Sequence, residues 1–173
     1  MNAPSDAVTL TRPLLRGLIV LNLLYALGLL VLFVAGLLAE DWVFDALGVR
    51  SGEHRPRLVL GMRAMVIVGL VAAGVVDRVL RQLAAIVDTV RAGDPFVASN
   101  ARRLQLIAWW VFAGEILRLV IGAIAWAATT KAQALDVHVG FSFAPWLAVL
   151  LLFVLARVFA EGARMRADLE GTV

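Results

Sequence analysis

The chain contains no cysteine. Disulfides, thiolate metal sites and cysteine nucleophiles are therefore excluded, and nothing reports the redox state of its compartment. Charge is scarce as well. Only 17% of the 173 residues are charged, against 62% hydrophobic, and the mean hydropathy is +0.90. A soluble domain is about 45–50% apolar, so this chain lacks the polar residues to cover a water-facing surface of its size. Histidine is limited to His54 and His138, in different connections beside Glu53 and Asp136. No spacing fixes them as a metal pair, and both read as exposed loop residues. No glycine-rich phosphate loop follows a strand, and neither HExxH nor GxSxG occurs. No two carboxylates share a helix face for acid–base work. No histidine lies in an apolar run, where a transmembrane haem would need it. The chain reads as a non-enzyme without a cofactor or metal.

What is present is length of apolar sequence. Four runs can each cross a hydrocarbon core of about 30 Å at 1.5 Å rise per residue: 17–39, 58–76, 104–129 and 141–160. The first is too long for the apolar region of a signal peptide, and "LLAED" is a poor cleavage site. Pro145 suits the first turn of the last run, where its missing N–H has no intrahelical partner anyway. The expected fold is all-α: a four-helix transmembrane bundle, one membrane domain over 1–173.

Arginine and lysine set the orientation. The N-terminal segment, the joint 77–103 and the C-terminal end together hold ten: Arg12, Arg16, Arg78, Arg81, Arg91, Arg102, Arg103, Arg157, Arg164 and Arg166. The two other connections hold four, Arg50, Arg55, Arg57 and Lys131, along with Glu40, Asp41, Asp45, Glu53 and Asp136. Both termini and the joint are thus expected in the cytoplasm. The net charge is only +3 and the pI is near 10.5. The basic residues flank spans and form no recognition-helix unit, so the basicity reflects topology rather than direct nucleic-acid binding.

Two helices are expected to run on past the apolar core. After Asp77, the residues Val79, Leu80, Leu83, Ile86, Val87 and Val90 form one helical stripe, with Arg78, Arg81, Gln82, Asp88 and Arg91 largely off it. Gly93 stands where a C-cap glycine belongs, Asp94-Pro95 opposes continuation, and Ser99 or Asn100 can cap the next helix. At the C-terminal end, 157–173, Val158, Phe159, Gly162, Met165 and Leu169 share a stripe, with Arg164, Arg166, Asp168 and Glu170 outside it. These amphipathic extensions can pack on each other or on headgroups, or form a docking surface for a cytoplasmic partner.

The stretch "RAGDPFVASNARRLQLIAW" with the closing "VFAEGARMRADLEGTV" resembles a bacterial membrane family, domain of unknown function 2975. The residues that carry the resemblance are Gly93, Pro95, Phe96 and Asn100 in the corner, and Gly162, Glu170, Thr172 and Val173 at the end. Asp94, Arg102 and Arg103 complete the corner in this chain. The resemblance implies a four-span protein of the inner membrane, often encoded beside a small helix-turn-helix regulator. It carries no catalytic residues and assigns no partner contacts.

Charges inside spans are candidates for function. Glu115 and Arg118 are three apart on one helix face, and antiparallel neighbours would bring Arg63 to a similar depth. The three can form an internal salt-bridge cluster that fixes register, or a proton or anion site. Arg157 can snorkel to the interface or meet Asp77. Asn22 is an uncharged side-chain amide in a span and is expected to bond to a neighbouring helix. Gly69/Ala73 and Ala35/Ala39 are small pairs that allow close helix approach and leave a homo-oligomer open. Trp42, Trp126 and Trp146 fit an outer aromatic belt, while Trp109 and Trp110 read as packing or lipid-facing residues. Two functions stay open. One is a regulatory or interaction protein holding a soluble partner, such as a helix-turn-helix regulator. The other is a small transporter or resistance/immunity-type membrane protein that uses Arg63, Glu115 and Arg118.

Overall fold

A computed structural model describes residues 3–49, 52–129, 140 and 142–170, the first eight and the last two by backbone alone. Among these residues the chain is all helical: α1 (Ala3–Leu38), α2 (Glu40–Ala46), α3 (Arg55–Arg91), α4 (Ala98–Ala128) and α5 (Ala144–Glu170). Four of the five, all but α2, are long and apolar enough to cross a membrane. Hydrocarbon offers no partner for a bare N–H or C=O, and a helix satisfies these groups within its own segment. α3 and α5 run well beyond their apolar cores, as the amphipathic stripes predict. α1 also starts upstream of its apolar run and includes Pro13, which gives up one backbone donor.

The helices contribute to two compact units. One comprises Met1–Asn22, Val75–Ala113 and Ser142–Val173, and the other Leu23–Gly74 and Gly114–Phe141. In the second unit, α2 is an element that the apolar pattern did not reveal. It buries Val43 and Phe44, and Phe44, Val49, Leu58 and Val59 form a small core with Met62. The opposite face of α2 carries two acids one turn apart, Asp41 and Asp45, which corrects the expectation that no two carboxylates share a helix face. Arg55 at the start of α3 reaches both, Asp41 at 3.1 Å and Asp45 at 2.7 Å.

Two arginines of α3 serve helix ends. The last four carbonyls of a helix lack intrahelical donors, and a guanidinium there also meets the negative end of the helix dipole. Arg57 donates through Nε (2.8 Å) and Nη2 to the carbonyl of Ala127, in the last turn of α4. Arg63 donates Nη2 to the carbonyl of Gly36, in the last turn of α1, and to Glu40 Oε2, both at 2.7 Å. Its guanidinium also lies 5.7 Å from the centre of the Phe44 ring.

Close helix approach occurs where two small residues meet. A Cβ on Gly61 would overlap the Cβ of Ala128. Gly69 faces Leu29 of α1, which a Cβ would meet at 3.1 Å. Replacing Gly61 by alanine is predicted to destabilise the protein in detergent by about 1–3 kcal/mol through overpacking. Adding Ala128→Gly should recover most of that loss, because the two side chains are directly coupled. Unfolding curves of the four members of the cycle measure it. An additive result would show that the two residues do not meet.

Candidate functional site

The joint between α3 and α4 is built from backbone upward. α3 ends at Arg91, and Gly93 takes φ +85°, a left-handed conformation that costs glycine little. The Gly93 N–H donates to the Val90 carbonyl and the Asp94 N–H to the Thr89 carbonyl, both at 3.1 Å. This pair of bonds is a Schellman cap, which satisfies the orphan carbonyls of the last turn. Pro95 disfavours the helical region at Asp94, and α4 begins at Ala98.

Asn100 closes the corner. The helix starts before it, so both Ser99 and Asn100 lie inside the first turn of α4 and not at its cap, which corrects the capping expectation. The side chain of Asn100 is completely buried, at 0% exposure. Its Nδ2 donates to Thr89 Oγ1 at 2.6 Å and to the Pro95 carbonyl at 3.0 Å. Its Oδ1 accepts from Arg103 Nη1 at 2.8 Å, and Thr89 Oγ1 in turn donates to the Ile86 carbonyl. One amide thus joins the end of α3, the turn and the start of α4. A buried amide lacking partners would cost about 1–3 kcal/mol. Here both ends are used.

The corner is latched to α5. The Phe96 ring packs on Phe159 with centroids 5.3 Å apart. It also lies against Gly162, where a Cβ would meet its Cδ1 at 3.0 Å. Asp94 accepts a charge-assisted hydrogen bond from Arg166. Phe159, Gly162 and Arg166 are spaced i, i+3 and i+7, one stripe of α5. Phe96 therefore packs, and yet it remains 44% exposed. Arg12 of α1 approaches Asp88 of α3 at 3.5 Å, a half-exposed pair of small energetic weight.

The corner and the end of α5 are the segments that carry the resemblance to a known family. The family model described as Protein of unknown function (DUF2975) matches residues 9–173. The chain belongs to that family. No curated protein and no solved structure matches it. In this DUF2975 member, the structure brings Gly93, Asp94, Pro95, Phe96, Asn100, Arg103 and Gly162 into one neighbourhood. Arg102 is exposed beside it. Thr172 and Val173 lie outside the described residues, as does the side chain of Glu170.

The intramembrane trio is divided. Glu115 is 5% exposed, and Arg118 grips it in a fork, Nε to Oε2 at 2.8 Å and Nη2 to Oε1 at 2.5 Å. Arg118 Nη1 also donates to the Gly140 carbonyl at 3.0 Å. Arg63 instead takes Glu40 and the end of α1. The cluster expectation is corrected because an uncapped helix end close by offers Arg63 a carbonyl as well as an acid. Asp77 is held by Arg81 at 2.6 Å, so Arg157 does not take it. Asn22 is half-buried in α1.

The tryptophans separate by environment. Trp42 and Trp126 are 74% and 84% exposed, whereas Trp146 packs edge-on against Phe112 at 5.7 Å. Trp109 meets both Phe112 and Phe153 edge-on, so the four rings form a ladder between α4 and α5 in the first unit. His54 is exposed; His138 lies outside the described residues. Sequence reading missed Thr89, Phe159 and Glu40 as site partners. The i, i+3, i+7 spacing of Phe159, Gly162 and Arg166 was the available signal for α5.

Replacing Asn100 by leucine is predicted to lower stability by about 2–4 kcal/mol, since it leaves Thr89, the Pro95 carbonyl and Arg103 without their partner. Glu115→Gln should lower stability, because it leaves Arg118 without its counter-charge, whereas Glu115→Leu with Arg118→Leu should recover much of the loss. Thermal or denaturant unfolding in detergent reads both. If Glu115→Gln is neutral, the pair contributes no stability.

Proposed function

We propose that this protein is a non-catalytic interaction protein of the inner membrane, one that holds a soluble partner at the latched corner. The arginine distribution favours placing the corner in the cytoplasm. The observation that carries the reading is the state of Phe96. It packs on Phe159 and Gly162 of α5 and is still 44% exposed, outside the apolar runs. Val90 and Met165, on the adjoining extensions of α3 and α5, are exposed as well. Apolar side chains on a pre-ordered backbone lose little entropy on binding, which is the property of a contact hot spot. The family resemblance suggests the class of partner, a small helix-turn-helix regulator encoded nearby.

The transport reading has weaker support. Glu115 has both oxygens engaged by one arginine, a pairing that suits a structural salt bridge.

The test is fractionation of the neighbouring helix-turn-helix protein from cells with and without this chain. The regulator should shift to the membrane fraction in its presence. Val90→Glu with Met165→Glu, which leaves the latch contacts in place, should return it to the soluble fraction while the membrane protein accumulates normally. A regulator equally soluble in all three strains would sink the proposal. If, instead, a transport or resistance phenotype is found and Glu115→Gln abolishes it at normal expression, the transport reading takes its place.

A further inference from the structure

Most arginines in this protein have internal partners. Among the described residues, Arg16, Arg78, Arg91, Arg102 and Arg157 make no hydrogen bond or ion pair. Two of these five line one concavity. Arg102 and Gln105, three apart on α4, and Arg157 on α5 border a cleft of about 310 Å³. Phe153, Ala156 and Ala160 of α5 also line it, and the alanines leave it open. Among the described residues, no acidic side chain lines the cleft. Nearby acids are already engaged: Glu161 pairs with Arg164, and Asp94 with Arg166.

Two guanidinium groups that share a cleft repel each other, and Arg157 lies inside an apolar run. Its neighbours Val154, Leu155 and Val158 are exposed apolar side chains, as expected of a face turned to lipid tails. A cation there needs a counter-charge, and the described residues supply none. Guanidinium forks match the tetrahedral oxygens of phosphate, and a glutamine amide adds a neutral donor. Arg102 precedes the third apolar run and Arg157 closes the fourth, so both belong to the level where tails meet headgroups. Basic pockets between spanning helices at that level suit anionic lipid headgroups.

We propose that the cleft bordered by Arg102, Gln105 and Arg157 binds a phosphate group, presented by the headgroup of an anionic phospholipid whose tails lie along the exposed face of α5. The proposal does not depend on the corner holding a protein partner, because it uses neither Phe96 nor its apolar neighbours.

The test uses the full-length protein in a neutral detergent, with binding read by native mass spectrometry and by the shift in melting temperature. The probes are phosphatidylglycerol, phosphatidylcholine and inorganic phosphate. Phosphatidylglycerol should bind and raise the melting temperature, and phosphatidylcholine should not. Arg102→Gln and Arg157→Gln should each weaken binding about fivefold, the equivalent of roughly 1 kcal/mol. Gln105→Ala should weaken it less, and Arg91→Gln should leave it unchanged. The two arginines have no internal partners, so the variants should fold, and the melting temperature without lipid checks this. If inorganic phosphate reproduces the shift and the arginine variants lose it, the site takes soluble phosphates. Equal phosphatidylglycerol binding by the wild type and the Arg102→Gln/Arg157→Gln double variant overturns the proposal, as does a wild type that responds to no probe.

Discussion

A backbone in hydrocarbon has to satisfy its own hydrogen bonds, and the helix ends are where it cannot do so unaided. Much of this protein's polar chemistry answers that constraint. Gly93 and Asp94 close the end of α3 through backbone bonds alone. Arg63 closes α1 and Arg57 closes α4. Asn100 then pairs the carbonyl of Pro95, a residue that has no N–H of its own, in the turn between two helices. Two of the few charges of this chain, Arg57 and Arg63, thus serve places where helices stop.

The two compact units use different means of cohesion. In the second, a short amphipathic helix is clamped by Arg55 through two acids, and small residues let helices approach. In the first, an aromatic ladder joins α4 to α5, and Phe96, Asp94 and Gly162 latch the corner onto the end of α5. A larger residue at 162 would press on this ring and force it to shift. This accounts physically for two residues, far apart in sequence, that both belong to the family resemblance.

Arginine plays three distinct parts here. Some guanidinium groups cap helices, some pair with acids, and a few are left open. Residue type and position along the chain do not distinguish these parts. Arg102 and Arg103 are adjacent, yet Arg103 bonds to Asn100 inside the corner and Arg102 faces the cleft shared with Arg157. Residues one apart on a helix point about 100° away from each other. Which arginine meets Asn100 and the Ala85 carbonyl of α3, and which lines the cleft with α5, follows from how the neighbouring helices pack on these two faces of α4.

The sequence by itself determined the all-helical class, the four long apolar helices, the α3 extension ending at Gly93 and the face shared by Glu115 and Arg118. Each of these is local: hydrophobic run length, 3.6-residue periodicity and the left-handed tolerance of glycine act within a few turns. Tertiary structure decided the rest. It gave Arg63 to Glu40 and Gly36, placed Phe96 on Phe159 and Gly162, and turned Asn100 from an expected cap into a buried three-way tie. It also folded α2, whose seven residues are too few to hold a helix without the core they bury into. Such pairings depend on which helix faces lie together, and a single sequence leaves that open because apolar faces of similar size pack nearly as well in several ways.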